Sequence, residues 1–261
     1  MGHKSLAVNL SDLAAMGAEP AWFLLALTLP QDKPAWLEDF AEGMAALAGQ
    51  AGIRLVGGDT TSGPLNICVT AAGLVEPGQA LARNGARPGD LVVVSGVPGR
   101  AALALDQIRS GSDPQTVVRQ ALDYPQPRLE LGLALRGLAS SCIDVSDGLL
   151  ADLGHILEQS GVGAEIDLEK LQADDSLAAI PAGRRWPLQL AGGDDYELCF
   201  TVPAAHAGRL EQASAVGAVR LSVIGRIREG QGIVVREPGG QPYQVPGRGY
   251  EHFSTAAGKE T

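Results

Sequence analysis

The chain has 261 residues, 45% hydrophobic and 19% charged, which is enough apolar material for one large or two ordinary cores and too much for a disordered protein. A formal charge of −10 works against partners with phosphate backbones, so no nucleic acid is expected. The longest apolar run, AWFLLALTLP, is too short to span a bilayer, and Asn9, Ser11 and Asp12 interrupt the first apolar stretch, so neither a membrane anchor nor a signal peptide is expected.

Aromatic residues make up only 4%, which leaves the core to Ala, Leu, Val and Ile. Cys68, Cys142 and Cys199 are too few and too scattered for a disulfide framework or a zinc site. They read as reduced, buried small hydrophobes of a cytoplasmic protein.

Leu6, Leu10, Leu13 and Met16 recur at helical spacing over 5–17, and Gly17 can stop that helix. WFLLALTLP (22–30) reads as a buried strand ended by Pro30. Pro34 suits the first turn of a helix whose apolar stripe is Trp36, Leu37, Phe40, Met44 and Leu47. IRLVGG and LNICVTAAGLV (65–75) are strands, and ARPGD (86–90) is a turn at a domain boundary. LVVVSG is a strand, and a helix follows Gly99. Over 114–139, Pro125 and Pro127 in YPQPR divide two helices. CIDV is a strand, SDGLLADLGHILEQSG a helix stopped by Gly161, and AEIDL a strand. Residues 170–190 fit no single element; then come YELCFTVP as a strand, AAHAGRLEQASA as a helix, and the strands LSVIGRI and GIVVRE. This order is not a clean βαβ alternation. It predicts an α+β fold with antiparallel pairings and helices on one side of the sheets. Two units are expected, 1–85 and 86–253, with a frayed tail at 254–261.

Acidic residues gather among Gly, Ser and Thr at NLSD (9–12), VGGDTTSG (56–63), IDVSDGL (143–149) and AGGDDYEL (191–198). Each has a plain alternative. Asp12 is a solvated helix residue; VGGDTTSG is a glycine-rich hairpin. Ser146 or Asp147 is an N-cap; Asp194 and Asp195 form an exposed acidic turn. The four histidines have no partners at ligand spacing. VGGDTTSG is not a Walker A loop, and IDVSDGL is not an EF-hand. Taken together, the loops suit Mg²⁺-assisted phosphoryl transfer, in which positioning and charge neutralisation do most of the catalysis. Around Ser146, a helix N-terminus could also favour a phosphate.

HKSLAVNLSDLAAMGAEPAWFLLALTLP, VGGDTTSGPL, ARNGARPGD, IDVSDGLLADLGHILEQSGVGAEIDL, GGDDYELCFTVP and GYEHF closely resemble the bacterial thiamine-monophosphate kinase family, within the aminoimidazole ribonucleotide synthetase superfamily. The resemblance runs in order along nearly the whole chain. It implies ATP- and Mg²⁺-dependent phosphorylation of thiamine monophosphate to thiamine diphosphate, by a homodimer whose N-terminal domains pair. It implies several Mg²⁺ ions, with Asp12, Asp59, Asp144 and Asp147 as metal ligands. Gly58, Asp59, Arg83 and Ser146 are implied as nucleotide contacts, and Asp194 and Tyr250 as contacts to thiamine phosphate.

Members of that family carry several dozen residues ahead of the NLSD helix, with a further acidic loop and a substrate-contacting strand. Neither occurs here, so the chain is expected to be a fragment, a product of a mis-called start, or a genuine short form. The alternatives to the kinase are an impaired remnant with partial nucleotide binding or dimerisation, and another ATP-dependent activity of the superfamily.

Overall fold

A computed structural model describes residues 1–31 and 33–245. In chain order the elements are α1 (Gly2–Ala15), β1 (Glu19–Leu29), α2 (Pro34–Ala51), β2 (Arg54–Ser62), β3 (Asn66–Leu74), β4 (Leu91–Ser95), α3 (Arg100–Arg109), α4 (Thr116–Asp123), α5 (Leu129–Ala134), β5 (Ser141–Val145), α6 (Leu149–Ser160), β6 (Gly163–Asp167), α7 (Asp175–Ala178), α8 (Ala182–Ala191), β7 (Glu197–Val202), α9 (Leu210–Val216), β8 (Leu221–Arg228) and β9 (Ile233–Arg236). The fold is α+β, as expected.

The strands form two sheets. The first has three strands in the order β2-β1-β3, with β2 parallel and β3 antiparallel to β1. VGGDTTSG is therefore not a hairpin loop. Most of it belongs to β2, and β1 lies between β2 and β3. Phe23 points inward to a core with Leu6, Leu10, Phe40, Met44 and Leu47 of α1 and α2, and Leu27 is buried too. The other face carries Trp22, Leu24, Ala26 and Cys68, and β2 is exposed along its whole length. Cys68 is thus exposed, contrary to the sequence reading, because its strand position faces away from the helices; Cys142 and Cys199 are buried.

The second sheet has six strands, β5-β7-β4-β8-β6-β9, all antiparallel neighbours except β6 and β9. Its helices cover both faces, which corrects the expectation of one. Val92 and Val94 pack with Leu149, Leu153 and Ile156 of α6, whereas Leu91 and Val93 pack with Leu131 and Leu135 of α5 and its extension and with Leu210 of α9. Strands covered on both faces read as continuous apolar runs, as LVVVS does.

Helix α1 packs into both cores. Leu6, Leu10 and Leu13 enter the core of the small sheet, and Ala14 and Ala15 enter that of the large one. The ambiguous 170–190 region holds two short helices, α7 and α8, the second with Pro187 inside it, so no single period runs through it.

Candidate active site

Three of the four acidic segments, NLSD, IDVSDGL and AGGDDYEL, meet at the end of the large sheet nearest α1. A cleft of about 870 Å³ is lined by Asp12, Asp144, Ser146, Asp147, Asp194 and Tyr196, among others. Asp144 is the last residue but one of β5 and is almost fully buried. Burial, followed by the nearby Asp12 charge, pushes its carboxyl up to about 6, while Ser11 pulls the other way. The protein around Asp12 also raises its pKa, and Arg83 opposes that shift.

Ser146 and Asp147 do not cap α6. The helix starts at Leu149, and its cap residue is Gly148, which has no side chain to use. The amides there are taken by Asp152, whose Oδ2 accepts N–H bonds from Ser146 at 2.9 Å and from Asp147 and Gly148 at 3.1 Å. Those three amides, which precede the helix, are therefore not free for a phosphate. Burial raises the Asp152 carboxyl to about 6 despite these bonds.

AGGDDYEL closes over this loop. The Asp194 N–H donates to Ser146 O and the Tyr196 N–H to Val145 O, both at 2.8 Å. Gly193 permits that approach, since a Cβ there would lie 2.5 Å from Ser146 O. Asp194 and Tyr196 have φ of +69° and +52°, a conformation costly for a bulky side chain and held here by these bonds. The Tyr196 hydroxyl donates to Asp194 Oδ1 at 3.0 Å, and Lys4 Nζ lies 3.2 Å from the same oxygen. Asp195 turns away, accepting the Gly99 N–H at 2.7 Å in a second cleft that also holds Arg128 and Glu197. The Asp194–Asp195 pair is thus not an exposed turn, and burial raises the Asp195 pKa.

Among the described residues no three His, Cys, Asp or Glu side chains stand close enough to cage a metal by themselves. Buried Asp144 beside Asp12 is instead a sparse set of hard oxygen donors with unfavourable charge. It suits Mg²⁺, which takes one or two carboxylates and completes its shell with water and phosphate oxygens.

Residues 1–75 match the family described as AIR synthase related protein, N-terminal domain, and residues 87–237 match its C-terminal domain. The thiamine-monophosphate kinase of Escherichia coli O157:H7 is 44% identical over 98% of this chain and 80% of its own length. The chain belongs to the thiamine-monophosphate kinase family. The crystal structure of the Stenotrophomonas maltophilia K279a family member has a TM-score of 0.86 at 47% identity, covering 90% of this chain and 77% of that one. A structure described as AaThiL complexed with AMPPCP and TMP has a TM-score of 0.83 at 30% identity, covering 97% and 80%.

Of the residues that this family's motifs single out, Asp12, Asp144, Ser146, Asp147 and Asp194 share the cleft. Arg83 is near enough for its charge to be felt at Asp12. Gly58 and Asp59 do not line the cleft; they lie on β2, paired with Leu25 and Ala26. A Cβ on Gly58 would lie 1.9 Å from Leu25 O, so close strand packing alone requires glycine there. Tyr250 lies outside the described residues. Sequence reasoning missed Lys4, Tyr196 and Asp152. Lys4, Val8 and Asp12 stand four residues apart, a helical stripe that would have placed the lysine on the cleft side of α1.

Proposed function

We propose that this chain phosphorylates thiamine monophosphate with ATP, giving thiamine diphosphate. The observation carrying this reading is the convergence of Asp12, Asp144, Ser146, Asp147 and Asp194 in one cleft, from motifs far apart in sequence. Family membership and the AMPPCP and TMP of the related complex support it.

Asp12, Asp144 and Asp147 would hold Mg²⁺, more than one ion with Asp59, and Gly58, Asp59, Arg83 and Ser146 would contact the nucleotide. Mg²⁺ when bound supplies neutralisation of the phosphate charges that an acidic cleft otherwise repels. Asp194, steadied by Lys4 and Tyr196, orients the thiamine phosphate, with Tyr250 as a further contact. The acceptor oxygen already carries negative charge near neutral pH, so no general base is required. It bonds in line to the γ-phosphorus as the bond to the β–γ bridging oxygen breaks, and ADP leaves with the electron pair. No phosphoenzyme forms.

Residues 1–85 serve as the nucleotide, metal and dimerisation unit, and 86–253 as the synthetase-like unit. A second copy covers the apolar face of the small sheet around Trp22, Leu24 and Ala26, giving a homodimer. No helix among the described residues is long and apolar enough to cross a membrane, and the cytoplasm is the location we infer. Labelled ATP incubated with thiamine monophosphate and Mg²⁺ tests the reading through formation of thiamine diphosphate. Nucleotide binding without that product would instead favour a remnant or another activity of the superfamily.

A further inference from the structure

We propose that Asp152 is a positioning residue, holding the backbone of Ser146, Asp147 and Gly148 so that the Ser146 and Asp147 side chains project into the cleft. The proposal rests on the kinase reading of that cleft. Asp152 is 3% exposed and is not among the cleft-lining residues, so it acts through its neighbours. One oxygen, Oδ2, receives three successive amides at 2.9, 3.1 and 3.1 Å. An ordinary N-cap side chain holds one or two amides at a helix start. Here one acceptor fixes the run of peptide planes that carries both functional side chains.

One further contact makes this more than a helix cap. The Ser146 carbonyl is engaged from the other side by the Asp194 N–H at 2.8 Å. The loop is therefore held from α6 on one flank and from the entry to β7 on the other. Because the amides are used internally, the loop offers side chains to a ligand and not a row of N–H groups. Partners of this kind behind metal-binding side chains typically change metal affinity ten- to a hundredfold when removed.

Asp152→Ala and Asp152→Asn test the assignment. Amide hydrogen exchange is followed across 146–148, and Mg²⁺ is titrated by calorimetry in the presence of a non-hydrolysable ATP analogue. Asp152→Ala is expected to speed exchange in this loop and to weaken apparent Mg²⁺ affinity about ten- to a hundredfold. Asp152→Asn keeps an acceptor oxygen at the same reach and is expected to stay within about threefold of the parent. A folded Asp152→Ala protein with unchanged Mg²⁺ affinity overturns the proposal, as does Asp152→Asn losing as much as Asp152→Ala. Where the alanine variant does not fold, the asparagine variant decides by the same threefold limit. If the parent chain binds no Mg²⁺–nucleotide, the kinase reading fails. Exchange then still judges the clamp: faster exchange in either variant supports it, and unchanged exchange in both overturns it.

Discussion

The two sheets treat their surfaces in opposite ways. The large sheet is covered on both faces, and the strands β4, β5 and β7 are buried throughout. The small sheet is covered on one face only, and its edge strand β2 is wholly exposed. Two of the converging acidic segments, IDVSDGL and AGGDDYEL, stand at strand ends of the covered sheet, where packing on both sides fixes them, and Asp12 meets them from α1. Asp59 of the open sheet does not line their cleft. Double coverage gives the rigidity that a charge-positioning site needs; single coverage leaves surface for association.

Removing a carboxylate from the rigid side should do most damage. Asp144→Ala is expected to lower thiamine diphosphate formation on the order of a hundredfold or more. A loss below tenfold in a steady-state assay would detach β5 from the chemistry. Filling the close approach behind it comes next. Gly193→Ala would set a Cβ 2.5 Å from Ser146 O, and should cost about 2 kcal/mol. Urea unfolding reads that cost, and a neutral result would mean that the two loops part easily.

On the open side, a charge at Leu24 should weaken dimerisation by about thirtyfold while the chain stays folded. Sedimentation of Leu24→Asp gives the first measure. Maleimide labelling of the outward-facing Cys68 gives the second, slow in the dimer and fast in the variant. Equal sedimentation of both proteins would remove this face from the interface.

The smallest effect concerns pH. With Asp144 raised to about 6 from 3.8, its stabilising contribution is complete below about pH 4 and lost as pH rises through 6. In chelator, Asp144→Asn should therefore gain on the parent between pH 4 and pH 7. Parallel stability curves would show that Asp144 carries no such penalty.

Much of this arrangement was legible before any coordinates. Leu6, Leu10 and Leu13 announced α1 by period, and Gly161 marked the end of α6. The carboxylates of the cleft were legible through their glycine and serine neighbours. Pairing was not: Gly58 and Asp59 read as a hairpin because local turn chemistry says nothing about β1 arriving between β2 and β3. Asp152 was hidden for a similar reason. Within SDGLLADL it looks like an ordinary first-turn acid, and only the folded loop shows it bonded to three amides.

Helix α1, shared by both cores, sets a mechanical condition. With Leu10 held in one core and Ala14 in the other, the two sheets cannot swing apart without tearing a helix out of one core. The gap between Asp12 and Asp144 is then fixed when the chain folds, and reactants must enter and products leave through an aperture that stays at nearly constant width. Turnover would be limited by what the loops permit at that aperture, and a crosslink between α1 and α5 should leave the rate almost untouched.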